Sequence, residues 1–259
     1  MNPVFGKKKA ESPCCPLRRI NIKKQQAIAQ REAQLLTIAE GIMETEGFSG
    51  LTMDKLVAAC SFSKGTVYNH FNSKEDLLSA LCIKSMLMAL ELFKKAAEFN
   101  GSSREKMLAI HYAYRLHALS HPTLFLCVLT SRTPAIREKA STARLLKQEQ
   151  LDKEMTHYCD ELFELAMQQG ELAQASAAQR NQLVFAAWAM SFGTNVLLSM
   201  ANQVEGVQRV DATMAVLLNA NLLLDGMAWQ PLSTEVDYRS SWQRIEEEVF
   251  KDEFLRLGN

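Results

Sequence analysis

Three hydroxyl residues, Thr52, Ser63 and Ser73, each stand directly before a run in which apolar residues recur at three and four. A hydroxyl so placed accepts a free amide of the first turn and starts a helix. Three starts this close together leave room only for short helices between them. Behind Thr52, the residues Met53, Leu56, Val57 and Cys60 make one apolar stripe; behind Ser63, Val67 and Phe71 turn inward with Phe62. Cys60 to Ser63 make the turn between those two helices. Ser73 has capping-box spacing to Asp76 ahead of a long helix running to about Phe99. Before all of these, a helix over 22–46 carries Leu35, Ile38, Ala39, Ile42 and Met43 on one side. It stops at Gly47, where a glycine C-cap followed by Phe48 suits a hydrophobic contact.

The same period continues to the end of the chain. Glycine is scarce, at 11 residues of 259, and alternating valine-rich runs are absent, so strands are not expected. Helices are expected at about 104–119, 122–130, 135–168, 177–202 and 207–226. A last amphipathic piece around Trp242, Ile245, Val249 and Phe250 is expected to dock back onto the body. The fold class is all-α: an N-terminal three-helix helix-turn-helix domain joined to a larger helical domain. The expected organisation is a flexible basic arm over 1–20, the helix-turn-helix domain over 21–82, a helical body over 83–230 and an amphipathic tail over 231–259.

Formal net charge is zero, but the charge is unevenly spread. Residues 1–31 hold eight lysines or arginines against Glu11 alone, whereas Glu235 to Glu253 hold seven acidic residues against three basic ones. A basic arm adds attraction to a polyanion, and an acidic tail faces solvent. The six cysteines show neither disulfide-rich nor zinc-finger spacing, which suits a reducing cytoplasm. Asn181 to Val204 carries no charge over 24 residues, so a membrane span and a helix packed on nearly all sides both answer to it. Its asparagines, glutamine and serines, and the lack of a lysine- and arginine-rich flank, argue for the packed helix and against membrane attachment.

With Lys64 to Phe71 on a helix, Lys64, Thr66, Asn69 and His70 point outward, and Gly65 keeps the first turn slim. Two short helices around a tight turn, the second polar on its free face, form a helix-turn-helix, whose second helix enters a DNA major groove. Thr52, Ser63, Tyr68, His70 and Lys74 can contact the phosphate backbone. Lys64, Thr66 and Asn69 suit base edges: ammonium to guanine, amide to adenine, methyl to thymine. The alternatives to these contacts are a core aromatic for Tyr68 and a plain surface residue for His70. The stretch from Thr52 to Asp76 balances three lysines against three acidic residues, so affinity needs more than raw charge.

The segment Leu35 to Leu81, with GF at 47–48, TM at 52–53, SKGTVYNHF at 63–71 and SKEDLL at 73–78, resembles the DNA-binding domain of the TetR family of bacterial transcriptional regulators. The resemblance implies that Thr52, Ser63, Lys64, Thr66, Tyr68, Asn69, His70 and Lys74 fall where that family contacts its operator. The family often has alanine-glycine-valine in the turn, where this chain has Cys60-Ser61-Phe62. Glycine would suit a positive φ there, and Ser61 can instead hold a turn through its hydroxyl. The resemblance further implies a homodimer paired through the last two core helices, a roughly palindromic double-stranded DNA operator, and a small-molecule effector in the second domain.

For that second domain, 183–201 and 213–224 are apolar around most of their circumference, as helices facing both their own core and a second subunit would be. Plausible effector-lining groups are His111, Tyr114, His117, Phe125, Cys127, Met155, Tyr158, Cys159, Trp188, Phe192 and Asn195, each also readable as core packing. Their mix suits an apolar or aromatic effector with few polar anchors. His117 and His121 have i,i+4 spacing but no carboxylate at ligand spacing beside them, so no metal is expected. No cofactor is expected, and no catalytic motif is present. Competing readings are a regulator without small-molecule sensing, controlled by a protein partner or acting as an activator, and a helical interaction protein that has lost DNA binding.

Overall fold

The computed structural model describes the backbone of residues 16–257 and the side chains of residues 21–257, all in helices and their connections. The expected arm over 1–20 falls largely outside the described residues. The contacts cluster the chain into two compact units, Met1–Phe71 and Asn72–Asn259.

The first unit holds α1 (Pro16–Gly50), α2 (Met53–Ala59) and α3 (Lys64–His70). Helix α1 begins ahead of the expected start at Ile22, and its helical bonding runs to Gly50 past a break at Gly47, where φ is +72°. That left-handed backbone is what the glycine supplies. Leu35, Ala39, Met43, Leu51, Leu56, Val67 and Phe71 are buried. The turn between α2 and α3 needs no glycine: among the described residues Ala228, and not Ser61, is the non-glycine residue with positive φ.

The second unit begins with α4 (Lys74–Ala97), which packs on α5 (Ser103–Ser120), α6 (Pro122–Thr130) and α8 (Thr142–Gln168). Between them, α7 (Pro134–Arg137) is separate, so the single helix expected over 135–168 is two. The break has a cause: Ser141 donates its backbone N–H to Asp76 Oδ1 at 2.9 Å, and Arg144 salt-bridges the same carboxylate. Helix α9 (Ala177–Met200) pairs with α11 (Ala215–Gly226), and α10 (Glu205–Gln208) is a short turn where one helix over 207–226 was expected.

The tail docks as expected. In α12 (Tyr238–Val249), Trp242 meets the Tyr112 ring edge-on at 4.9 Å, and Phe250, ahead of α13 (Lys251–Leu257), stacks on it at 5.5 Å. Beneath the tail lies Arg104, fully buried. Its guanidinium donates to the Trp229 carbonyl, to Asn221 Oδ1 at 3.2 Å and to Asp225 Oδ1 at 2.7 Å, and sits 4.6 Å over the Tyr238 ring.

Helix α9 corrects one expectation. It is long and apolar enough to cross a membrane, yet only 22% of its most apolar window is buried within the chain. Phe185, Leu197 and Met200 stand more than half exposed, as does Leu222 on α11. The helix is packed on one side and bare on the other.

Candidate nucleic-acid interface and effector cavity

The reading helix is set by its cap. Ser63 Oγ accepts the Thr66 N–H at 3.2 Å and shares a hydrogen bond with Thr66 Oγ1 at 2.9 Å. Thr52 does the same for α2, accepting from Lys55 N at 3.2 Å. Val67 and Phe71 are fully buried and fix the rotation of α3, which leaves Lys64, Gly65, Tyr68 and Asn69 exposed and Thr66 half-buried. Gly65 is not demanded by the fold: a Cβ there would meet nothing nearer than Ser63 Oγ at 4.0 Å.

Two features of this face go beyond the sequence reading. Lys64 Nζ lies 3.2 Å from Asp54 Oδ1 and 5.6 Å from the Tyr68 ring centre. The Asp54 carboxylate, by hydrogen bond and by charge, holds the Lys64 ammonium above its usual range. His70, expected to point outward, turns in: its side chain is 6% exposed, with Nδ1 3.5 Å from Glu32 Oε2. Three residues beyond Val67, it falls on the buried side of the helix. Lys74, half-buried in the first turn of α4, belongs to the second unit. There Ser73 Oγ accepts the Asp76 N–H at 3.1 Å, while Asp76 Oδ2 takes the Asn72 N–H at 3.3 Å.

The second unit holds a cavity of about 290 Å³, walled by α4, α5, α8 and α9 and by residues at the end of α6. Of the expected lining groups, His111, Tyr114, His117, Met155, Cys159 and Trp188 face it. Phe125, Cys127, Tyr158, Phe192 and Asn195 do not. Phe125 is buried behind Tyr114 at 4.9 Å and stacked on Phe192 at 5.1 Å, so both rings support the wall from behind. Cys127 is buried in α6, its thiol directed at the Thr123 carbonyl at 3.6 Å. Tyr158 packs against the core cluster, and Asn195 spends its amide on the Ser191 carbonyl one turn back at 2.9 Å.

The sequence reading missed Arg132, Asp152, Ser85 and Ser191, all in the cavity wall. Arg132 donates from both terminal nitrogens to Asp152, at 2.9 and 2.6 Å, and from Nε to the Val128 carbonyl at 3.0 Å. The pairing joins α8 to the end of α6, and no local spacing announces it. Ser85 Oγ meets His117 Nε2 at 2.9 Å, and Trp188 donates to the Tyr114 hydroxyl at 3.2 Å. Burial pushes the His111 imidazole down to about 4 and the Cys159 thiol up to about 12, so both are neutral near pH 7. His111 Nε2 and Ser191 Oγ are buried with no hydrogen-bond partner. His117 and His121 lie with ring centres 5.9 Å apart. Among the described residues no group of three or more His, Cys, Asp or Glu side chains could hold a metal ion.

Comparison with known proteins places this geometry. Residues 35–81 match the family model of the bacterial regulatory proteins of the tetR family. The chain is 35% identical over 74 residues to the HTH-type transcriptional regulator UidR of Escherichia coli K12, a match spanning 27% of this chain and 38% of that protein. Among solved structures, the transcriptional regulator FadR from Bacillus subtilis in complex with stearoyl-CoA is similar, with a TM-score of 0.59 and 16% identity. The match covers 75% of this chain and 98% of that one. AibR in complex with isovaleryl coenzyme A and operator DNA gives 0.55 at 17% identity, covering 74% and 97%. At these identities the structures share the fold.

Proposed function

By its N-terminal domain the chain belongs to the TetR family of regulators, and from that premise we propose that it is a sequence-specific DNA-binding transcriptional regulator, a homodimeric repressor released by an apolar or aromatic small-molecule effector. The observation that carries the DNA side is the free face of α3. Lys64, Thr66, Tyr68 and Asn69 lie along it, behind a Ser63 cap and over the buried anchors Val67 and Phe71. Gly65 adds to this, because a residue the fold could replace is there for close approach to something outside. Asn69 and Lys64 are base-reading, Thr66 offers its methyl, and Thr52, Ser63, Tyr68 and Lys74 position the backbone. His70 supports the head from within, its ring turned toward Glu32.

The bare apolar side of α9 and α11 supports pairing with a second copy, which would present two reading heads to a roughly palindromic site. The cavity supports a sensor over a regulator lacking one. A DNA partner puts the protein in the cytoplasm. The test is a salt-series titration of the full chain against a pool of random duplexes, with selection of the bound fraction. A palindromic site should be enriched, and Asn69→Ala should lower affinity for it by about 1–3 kcal/mol per reading head. Weak, sequence-blind binding that only tracks salt would sink the proposal.

A further inference from the structure

The cavity is apolar but not plain, and its polar atoms specify more than greasy content. Every charge on its wall is already spent. Arg132 gives both terminal nitrogens to Asp152 and its Nε to a backbone carbonyl, so the one guanidinium facing the cavity is neutralised by the one carboxylate facing it. His117 is engaged by Ser85, and the Tyr114 hydroxyl accepts from Trp188. On the α5 and α9 walls, His111 Nε2 and Ser191 Oγ are buried without a hydrogen-bond partner. Their residues are 3% and 2% exposed and both line the cavity.

A buried polar atom left unsatisfied costs about 1–3 kcal/mol, so a ligand that satisfies two of them gains selectivity over one that satisfies none. A charged ligand meets a different balance. A carboxylate would have to compete with Asp152 for Arg132, and an ammonium with Arg132 for Asp152. The pair is already made and stays partly in water, its side chains 31% and 38% exposed, so neither ligand charge gains a free partner for the hydration it loses. We infer that this cavity selects an uncharged ligand carrying a hydroxyl or carbonyl group that bridges His111 and Ser191, and discriminates against carboxylates, amines and coenzyme A thioesters. The neutral imidazole of His111 agrees with this, since it offers a hydrogen bond and no charge. A cavity of about 290 Å³, at the lower end of the ~300–1,000 Å³ range for ligand pockets, sets the size at a small molecule. The two fold relatives solved with coenzyme A esters therefore mislead about ligand class.

This rests on the reading of the cavity as an effector site, and the experiment separates the two. Isothermal titration of the full chain at pH 7 compares 1-naphthol, naphthalene, 1-naphthoate, 1-naphthylmethylamine and octanoyl-CoA. Naphthol should bind best, with naphthoate, the amine and the thioester weaker by about a hundredfold or more, because each buries a charge without a free partner. Ser191→Ala and His111→Phe should each lower the naphthol-to-naphthalene affinity ratio by about three- to tenfold, the worth of one hydrogen bond. Using the ratio within each variant cancels general loosening of the wall, and the comparison of probes on the unaltered chain needs no variant at all. Naphthoate or octanoyl-CoA binding as tightly as naphthol would overturn the inference and leave a sensor standing. An unchanged ratio in both variants would overturn the anchor. No binding of any probe would remove the inference and the effector site together.

Discussion

The two units put their chemistry together in opposite ways. In the reading head, the framework of the reading helix is decided within a few residues: Ser63 caps through Thr66, Val67 and Phe71 anchor one turn apart, and Gly47 turns the chain by its own φ. In the second unit, the cavity wall and the docked tail are held by pairs far apart in sequence, such as Arg132 with Asp152 and Arg104 with Asp225. A local device tolerates drift elsewhere in the molecule. A distant pairing exists only once the whole unit has folded, so damage to it spreads.

The hardest blow to that contrast is Arg104→Ala. It leaves Asp225 without its cation and removes the donor that ties the Trp229 carbonyl, and should cost the second unit about 3–5 kcal/mol. All three tryptophans, Trp188, Trp229 and Trp242, lie in that unit. A urea titration followed by tryptophan fluorescence reads the loss, while amide exchange in α3 should stay unchanged. Loosening of α3 as well would show that the units are not separable.

Acid makes a smaller, reversible version of the same attack. An unfolded chain takes up a proton on His111 near pH 6.5, while the folded chain refuses it until about 4. The stability held by the neutral imidazole is therefore complete above pH 6.5 and lost as pH falls toward 4, by at most about 3 kcal/mol. Urea midpoints for the unaltered chain and His111→Asn, taken between pH 7 and 4, should converge over that interval. Parallel curves would place the acid sensitivity in the carboxylates instead.

Gly65→Ala tests the local side with the least force and the sharpest sign. The fold has room for the methyl, so helix propensity should stabilise the head by about 0.5–1 kcal/mol. Affinity for the selected operator should fall, because the methyl occupies the surface of approach. If both stability and affinity rise together, α3 does not present this face to DNA.

The same contrast decides what could be read from sequence. The caps, the turn and the buried stripe of the head were legible because each rests on neighbours along the chain. His70 was misjudged where that rule met a tertiary partner, since only the placement of Glu32 shows why the ring turns in. On α5 and α8 the lining groups His111, Tyr114, His117, Met155 and Cys159 were legible as faces of single helices. Phe125 and Phe192 carry the same aromatic signature, yet stack on each other behind the wall, and sequence does not say which ring reaches the cavity. Arg132 and Asp152 were invisible for a further reason: each looks like an ordinary surface charge until two helices bring them within 2.6 Å.

The Lys64–Asp54 pair has a consequence for time as well as for affinity. An exposed ion pair is cheap to open, but under the proposed reading it would be opened afresh at each sequence that α3 tries. Phosphate alone returns little, because the stretch from Thr52 to Asp76 is balanced in charge. Under that reading, an acceptor on a base edge would replace Asp54 and hold the lysine; elsewhere it would swing back. A head built this way would linger briefly on most of a genome and long at one address, so its residence time would separate right from wrong sites even at high protein copy number.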